Sequence, residues 1–184
     1  ITSLYTLSKV ALGDPRTGGY RFFSIIHVPF TPLADQWVDE LKKFNLNPIK
    51  CYGRSAEWTK QVEMAMSTFV QAEKPYVQAL VVIDKTFFME PFQEILKKMN
   101  IEGHNIFYIC DECHRFAKKE RTKNLPDARF KMGLSGTPFN SPDNSSIGDL
   151  ELINYFGEVC DKYEIAQAMK DKVLTQYDYI PIKC

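Results

Sequence analysis

No run in this sequence is apolar for long enough to cross a bilayer, and no charged, apolar, small-residue leader opens it. A membrane partner is therefore not expected. Charge of one sign is also missing, since 23 Lys and Arg balance 23 Asp and Glu. That balance excludes a histone-like protein held on nucleic acid by bulk positive charge. It leaves room for a motor that grips a backbone locally. Cysteines are few and odd in number, five in all. With no secretory leader, reduced thiols in a cytoplasmic protein are the expectation. Repeats and low-complexity segments are absent as well.

What is present suits one packed domain. The chain has 184 residues, 45% of them hydrophobic, enough for a sizeable core and too few for two full domains. It opens at Ile1, inside a helical pattern and without an initiator Met, which reads as an N-terminally truncated fragment. Helical and strand patterns then alternate, the mark of an α/β domain with a mainly parallel sheet and helices on both faces.

A helix is expected over 1–12, then a loop over Gly13–Gly19. Apolar runs at 21–28 (RFFSIIHV), 78–83 (QALVVI), 105–110 (NIFYIC) and 129–134 (RFKMGL) read as strands, the first two as buried ones, with a short strand at 48–51. Helices are expected near 32–44, 56–73, 88–99, 149–156 and 164–174. Thr31 suits the cap of the first of these, and Pro32 its first turn. A polar loop fills 140–147, and 177–183 reads as extended. The ends of the four longer strands should lie on one edge of the sheet.

Four stretches carry chemistry. The first is Asp111-Glu112-Cys113-His114-Arg115, where an apolar strand delivers two adjacent carboxylates to its C-terminal end. Ligands bind at that end of open α/β sheets. One carboxylate there can hold Mg²⁺ through water, and its neighbour can orient and deprotonate an attacking water. A solvated acidic turn is the plain alternative. The second is Ser135-Gly136-Thr137-Pro138, whose small hydroxyls can exchange hydrogen-bond partners, or simply cap a turn. The third, Ile26 to Trp37, sets a strand end against a helix N-terminus whose free amides suit a phosphate. Trp37 and Leu41 on that helix read as core. The fourth is Thr86, which can touch a backbone phosphate or cap the next helix.

In this order the four resemble superfamily-two helicases of the DEAD/DEAH type. The match is to motif Ia (VPFTPLADQW), motif Ib (Thr86), the DECH version of the box, and motif III (GLSGTPF). The segments Tyr155-Phe156-Gly157-Glu158-Val159, Tyr163 to Ala168 and Asp178 to Pro181 are similar to the closing part of the first motor domain in the type III restriction-enzyme-like branch. The resemblance implies a three-layer RecA-like domain over 1–184, with 158–184 leading toward a second RecA-like domain. It implies ATP and Mg²⁺ as cofactors and DNA, or RNA, as the polymer tracked. It also implies roles. Asp111 would hold Mg²⁺ through water, Glu112 would activate the water, and His114 would sense the nucleotide and relay to motif III. Ser135 and Thr137 would couple hydrolysis to movement. Pro29, Thr31 and Thr86 would lie along the nucleic-acid strand.

The sequence departs from that family in one respect, because no G-x-x-x-x-G-K-[ST] phosphate loop occurs in it. The nearest stretch, Gly13 to Tyr20, has Gly19 and Tyr20 where lysine and a hydroxyl are required, and it follows a helix instead of preceding one. In the family the phosphate loop immediately precedes a helix like 1–12, so it is expected upstream of Ile1. Three other patterns read as coincidences. Cys110 to His114 matches the haem-attachment pattern C-x-x-C-H, but Cys110 ends an apolar strand, and no second ligand pair follows at zinc spacing. Val82-Ile83-Asp84 lacks the second carboxylate of an acidic pair. Asn144-Ser145-Ser146 is a glycosylation sequon that matters only in a secreted protein. Two functions remain: the motor of a nucleic-acid-dependent ATPase, free-standing or from a restriction system, or a non-catalytic nucleic-acid-binding module that keeps the fold.

Overall fold

The computed structural model describes residues 2–13, 16, 19–102, 104–117, 122–137, 139 and 146–173. Within them the chain alternates helix and strand. The order is α1 (Thr2–Leu12), β1 (Arg21–Val28), α2 (Thr31–Lys43), β2 (Ile49–Cys51), α3 (Ser55–Phe69), β3 (Tyr76–Ile83), a one-turn α4 (Asp84–Phe87), α5 (Glu90–Ile101), β4 (Ile106–Asp111), β5 (Phe130–Leu134), α6 (Ile147–Phe156) and α7 (Ile165–Lys170). Short 3₁₀ turns at Cys113–Phe116 and Thr122–Asn124 lie between β4 and β5. The expected extension over 177–183, most of the polar loop over 140–147, and Pro138 lie outside the described residues.

The five strands form one sheet in the order β2-β3-β1-β4-β5, every pairing parallel. The sequence expectation of a mainly parallel sheet thus holds in its stronger form. All strand C-termini share one edge. Val28 pairs with Ile83, His27 with Cys110, and Asp111 with Leu134. After β1 the chain winds to one side, and after β3 it crosses to the other. The reversal of direction therefore falls between β1 and β4, where ligand crevices form in such sheets.

Side chains alternate across each strand, and two cores result. On one face Leu4, Leu7, Ala34, Trp37, Val38 and Leu41 of α1 and α2 pack on Phe22, Ile26, Val81, Phe107 and Ile109. On the other, α3, α5 and α6 cover Phe23, Ile25, Leu80, Val82 and Tyr108 with Trp58, Val62, Phe92, Leu96 and Leu152. Sheet between two helical layers is the three-layer architecture expected from the sequence.

Several boundaries differ from the sequence reading, among them the end of the helix expected over 164–174, which stops at Lys170. The helix expected over 88–99 begins at Glu90, with Pro91 in its first turn, and a separate one-turn helix, α4, which was not expected, precedes it over Asp84–Phe87. The helix expected to reach residue 73 ends at Phe69, and the Arg21 guanidinium donates to the freed carbonyls of Val70 and Ala72. At α2 the cap is Phe30, not Thr31. Phe30 is extended, its carbonyl accepts the Ala34 amide at 3.2 Å, and Thr31 opens the helix.

Candidate functional site

β4 ends at Asp111 on the face that carries α2, and the backbone turns sharply at Glu112. Glu112 adopts φ 54°, ψ 46°, the left-handed region that a side-chain-bearing residue enters at a cost. The turn is gripped from both faces of the sheet. From the α2 face, Trp37 Nε1 donates to Asp111 Oδ2 at 2.8 Å. The other oxygen, Oδ1, accepts the Glu112 amide at 3.0 Å. From the opposite face, Arg115 Nε donates to the Glu112 carbonyl at 3.1 Å and a second guanidinium nitrogen to the Asp111 carbonyl at 3.2 Å. Both carboxylates remain partly open to solvent.

His114 joins this turn to the loop after β5. Its Nδ1 lies 2.9 Å from Ser135 Oγ and 3.3 Å from Glu112 Oε2. Ser135 Oγ also accepts the Thr137 amide at 3.1 Å. The acidic pair, His114, Ser135 and Thr137, picked out separately in the sequence, therefore form one connected cluster on the C-terminal edge.

The remaining site candidates lie on the same edge at neighbouring strands. Pro29 directly follows β1 and is half-buried, and Thr31 is exposed at the start of α2. Thr86 sits inside α4, after β3, and is only 5% exposed, so its side chain faces the protein while its neighbour Lys85 faces solvent.

Two groups that the sequence did not single out matter here. Trp37, read as core, is buried but uses its indole N–H on Asp111, and an indole that is buried needs such a partner. Asp84, set aside as a weaker copy of the acidic pair, has its carboxylate taken up by His27 Nε2 at 2.8 Å and by Arg115. Burial alone would raise the Asp84 pKa, but the hydrogen bond from His27 and the Arg115 charge outweigh it and hold the group below its ordinary value. His27 is fully buried, and that burial keeps its pKa below the usual imidazole value, so the ring is neutral. The only sequence sign of this pairing was a histidine inside an apolar strand.

The two thiols beside the acidic turn are poor ligands or nucleophiles as they stand. Cys110 and Cys113 are buried, and burial pushes Cys113 up to about 11. No cluster of three or more His, Cys, Asp or Glu residues with metal-site geometry occurs among the described residues. Among them, too, no helix is long and apolar enough to cross a membrane.

Residues 32–182 match the family model described as SWI2/SNF2 ATPase. The chain belongs to the SWI2/SNF2 ATPase family. The superfamily-two resemblance read from Asp111–Arg115 and Gly133–Phe139 is thereby upheld at the level of a helicase-type ATPase, and nucleotide binding comes with the family. The match is to SWI2/SNF2 rather than to the restriction-enzyme-like branch. No curated protein sequence matches the SWI2/SNF2 chain. Among solved structures it is similar to a de novo designed protein with a P-loop NTPase fold, at 10% identity over 86% of this chain and 100% of that one, with a TM-score of 0.43.

Proposed function

We propose that this chain is the hydrolytic half of a nucleic-acid-dependent ATPase motor that couples ATP hydrolysis to movement along DNA. One observation carries the reading: the Asp111–Glu112 pair stands on the ligand-binding edge of the sheet and is wired through His114 to the loop holding Ser135 and Thr137.

The donor set fits Mg²⁺ held through water. Each Asp111 oxygen accepts one hydrogen bond, so the carboxylate is oriented while lone pairs remain for water molecules. Bound Mg²⁺ would supply positive charge to the nucleotide phosphates. Glu112 is the general base for the attacking water, since its carboxylate is partly exposed and its backbone is fixed from both faces. His114 Nδ1 has two partners, Glu112 and Ser135, and can donate a proton to only one of them at a time. A change at Glu112 therefore shifts the bond to Ser135, and with it the loop. Pro29 and Thr31 offer the nearby nucleic-acid contact, and the α4 turn extends that surface through the exposed Lys85, the buried Thr86 side chain holding the turn from inside.

No residue of this chain supplies the lysine and amides of a phosphate loop, so the reading requires that loop from elsewhere in the polypeptide. The same fact favours a second reading, a non-catalytic nucleic-acid-binding module. A restriction-system motor and a free-standing translocase remain equally compatible with the site, and a nuclease motif in the same polypeptide would select the first. The test is ATP hydrolysis by the full-length protein with duplex DNA, with RNA, and with neither. The motor reading predicts turnover stimulated by DNA. Nucleic-acid binding with no turnover in any arm would establish the second reading instead.

A further inference from the structure

A closed ring of polar contacts runs beneath the acidic turn. Tyr108 on β4 bonds its hydroxyl to His27 Nδ1 on β1 at 2.8 Å. His27 Nε2 in turn lies 2.8 Å from Asp84 Oδ1, at the start of α4. The other Asp84 oxygen pairs with Arg115 in the 3₁₀ turn after the acidic pair. Arg115 returns to the end of β4 through the carbonyls of Asp111 and Glu112. Four elements are thus tied in one circuit, and its centre is buried. The His27 ring stacks on Phe87 at 4.1 Å between centroids. Beyond this contact, neither His27 Nε2 nor Asp84 Oδ1, both buried, has a hydrogen-bond partner among the described residues.

The ring ends on a strained backbone turn, Glu112, one of three side-chain-bearing residues at positive φ among the described residues. A glutamate in the left-handed region is strained by about 1–3 kcal/mol and persists only where its surroundings over-determine it. Arg115 does this with separate nitrogens of a planar fork, a geometry lysine lacks. Asp84 holds the fork in plane, and His27 holds Asp84.

We propose that Arg115 and Asp84, backed by the buried His27–Tyr108 pair, form a positioning strut that holds Glu112 in hydrolytic geometry and ties it to the α4 turn beside the nucleic-acid contact. The proposal rests on Glu112 being the general base. Arg115 touches no reacting atom; it acts through the turn. Because Asp84 is also the first residue of α4, a ligand that displaces α4 moves the Arg115 fork, and so the base.

The test uses the full-length protein with Arg115→Lys, Asp84→Asn and the double variant. Steady-state ATPase is measured with and without DNA, and melting temperature beside it. A misplaced base should lower kcat roughly tenfold to a hundredfold, with the KM for ATP within about twofold. The stimulation by DNA should shrink. The double variant should be no worse than the worse single, since both break one strut. Hydrogen exchange should speed up at residues 111–115 and not in α5. Normal kcat in folded single variants overturns the proposal, and so do losses that multiply in the double. Asp84→Asn keeps the size and shape of the side chain but removes its charge and one of its two acceptor oxygens, so it carries the test if Arg115→Lys does not fold. If neither folds, the strut is a folding element and the proposal fails. If Glu112→Gln still hydrolyses ATP, the assignment of the base has failed, a result separate from any outcome at Arg115 and Asp84.

Discussion

Ser135 and His114 show how little chemistry is needed to connect two loops. A hydroxyl is too short and too neutral to perform hydrolysis, yet Ser135 is bonded both to His114 and to the Thr137 amide. In the full-length protein, Ser135→Ala with Thr137→Ala is expected to retain part of the ATPase rate while translocation or strand displacement falls further. Equal proportional losses in both assays would make this loop a support for catalysis and not a coupling element. His27 gives a second residue-scale prediction. Its neighbours are Asp84, Arg115 and Tyr108, with Cys110 paired across the strand. Burial depresses its pKa, so below about pH 6.5 the unfolded chain binds a proton that the folded chain resists. Stability is therefore full above that value and declines as pH falls below it. The urea midpoint of His27→Gln should decline less steeply over this window than that of the unsubstituted protein. Parallel declines would show that His27 does not titrate as described.

At the scale of elements, close packing puts the 3₁₀ turn after the acidic pair under control of its neighbours. A Cβ on Gly148 would strike the Ala117 carbonyl, so α6 approaches this turn only because residue 148 has no side chain. A Cβ on Gly133 would meet Cys113 Sγ at 2.9 Å and Phe156 Cγ at 3.1 Å. Gly148→Ala should cost about 1–3 kcal/mol by overpacking. In a domain of this size each kcal/mol lowers the melting temperature by roughly 2–4 °C. Gly136→Ala, with open space around it and an ordinary φ, should leave the melting temperature unchanged. Equal melting of all three proteins would contradict the packing. Elements such as β1, whose seven consecutive buried residues follow one apolar run, were plain in the sequence. So was the placement of Asp111 and Ser135 at strand ends, because local patterning decides both. The one-turn α4 over Asp84–Phe87 was missed, because four residues are too few to show a helical period. The Trp37–Asp111 and Asp84–Arg115 contacts were not legible. They span 74 and 31 residues of sequence and exist only once the sheet has set its register.

The whole molecule is an all-parallel sheet whose functional edge collects the ends of β1, β3, β4 and β5, with its acidic turn held from both faces. Its chemistry is incomplete without phosphate-binding amides and a lysine, neither of which this chain arranges in the required order. Residues 1–184 alone are therefore expected to give no nucleic-acid-stimulated ATP turnover, and measurable turnover by the purified chain would refute that division of labour. The central claim, that Glu112 is the base of an ATPase, is tested most directly in the full-length protein by Glu112→Gln. The amide keeps the size of the side chain but cannot accept the proton of water, and loss of a general base costs about 10²–10⁴ in rate. Nucleotide affinity and DNA-stimulated hydrolysis should be measured on the same preparation. Near-normal ATP binding with hydrolysis reduced by that factor is the predicted result. Hydrolysis at the unsubstituted rate would contradict it.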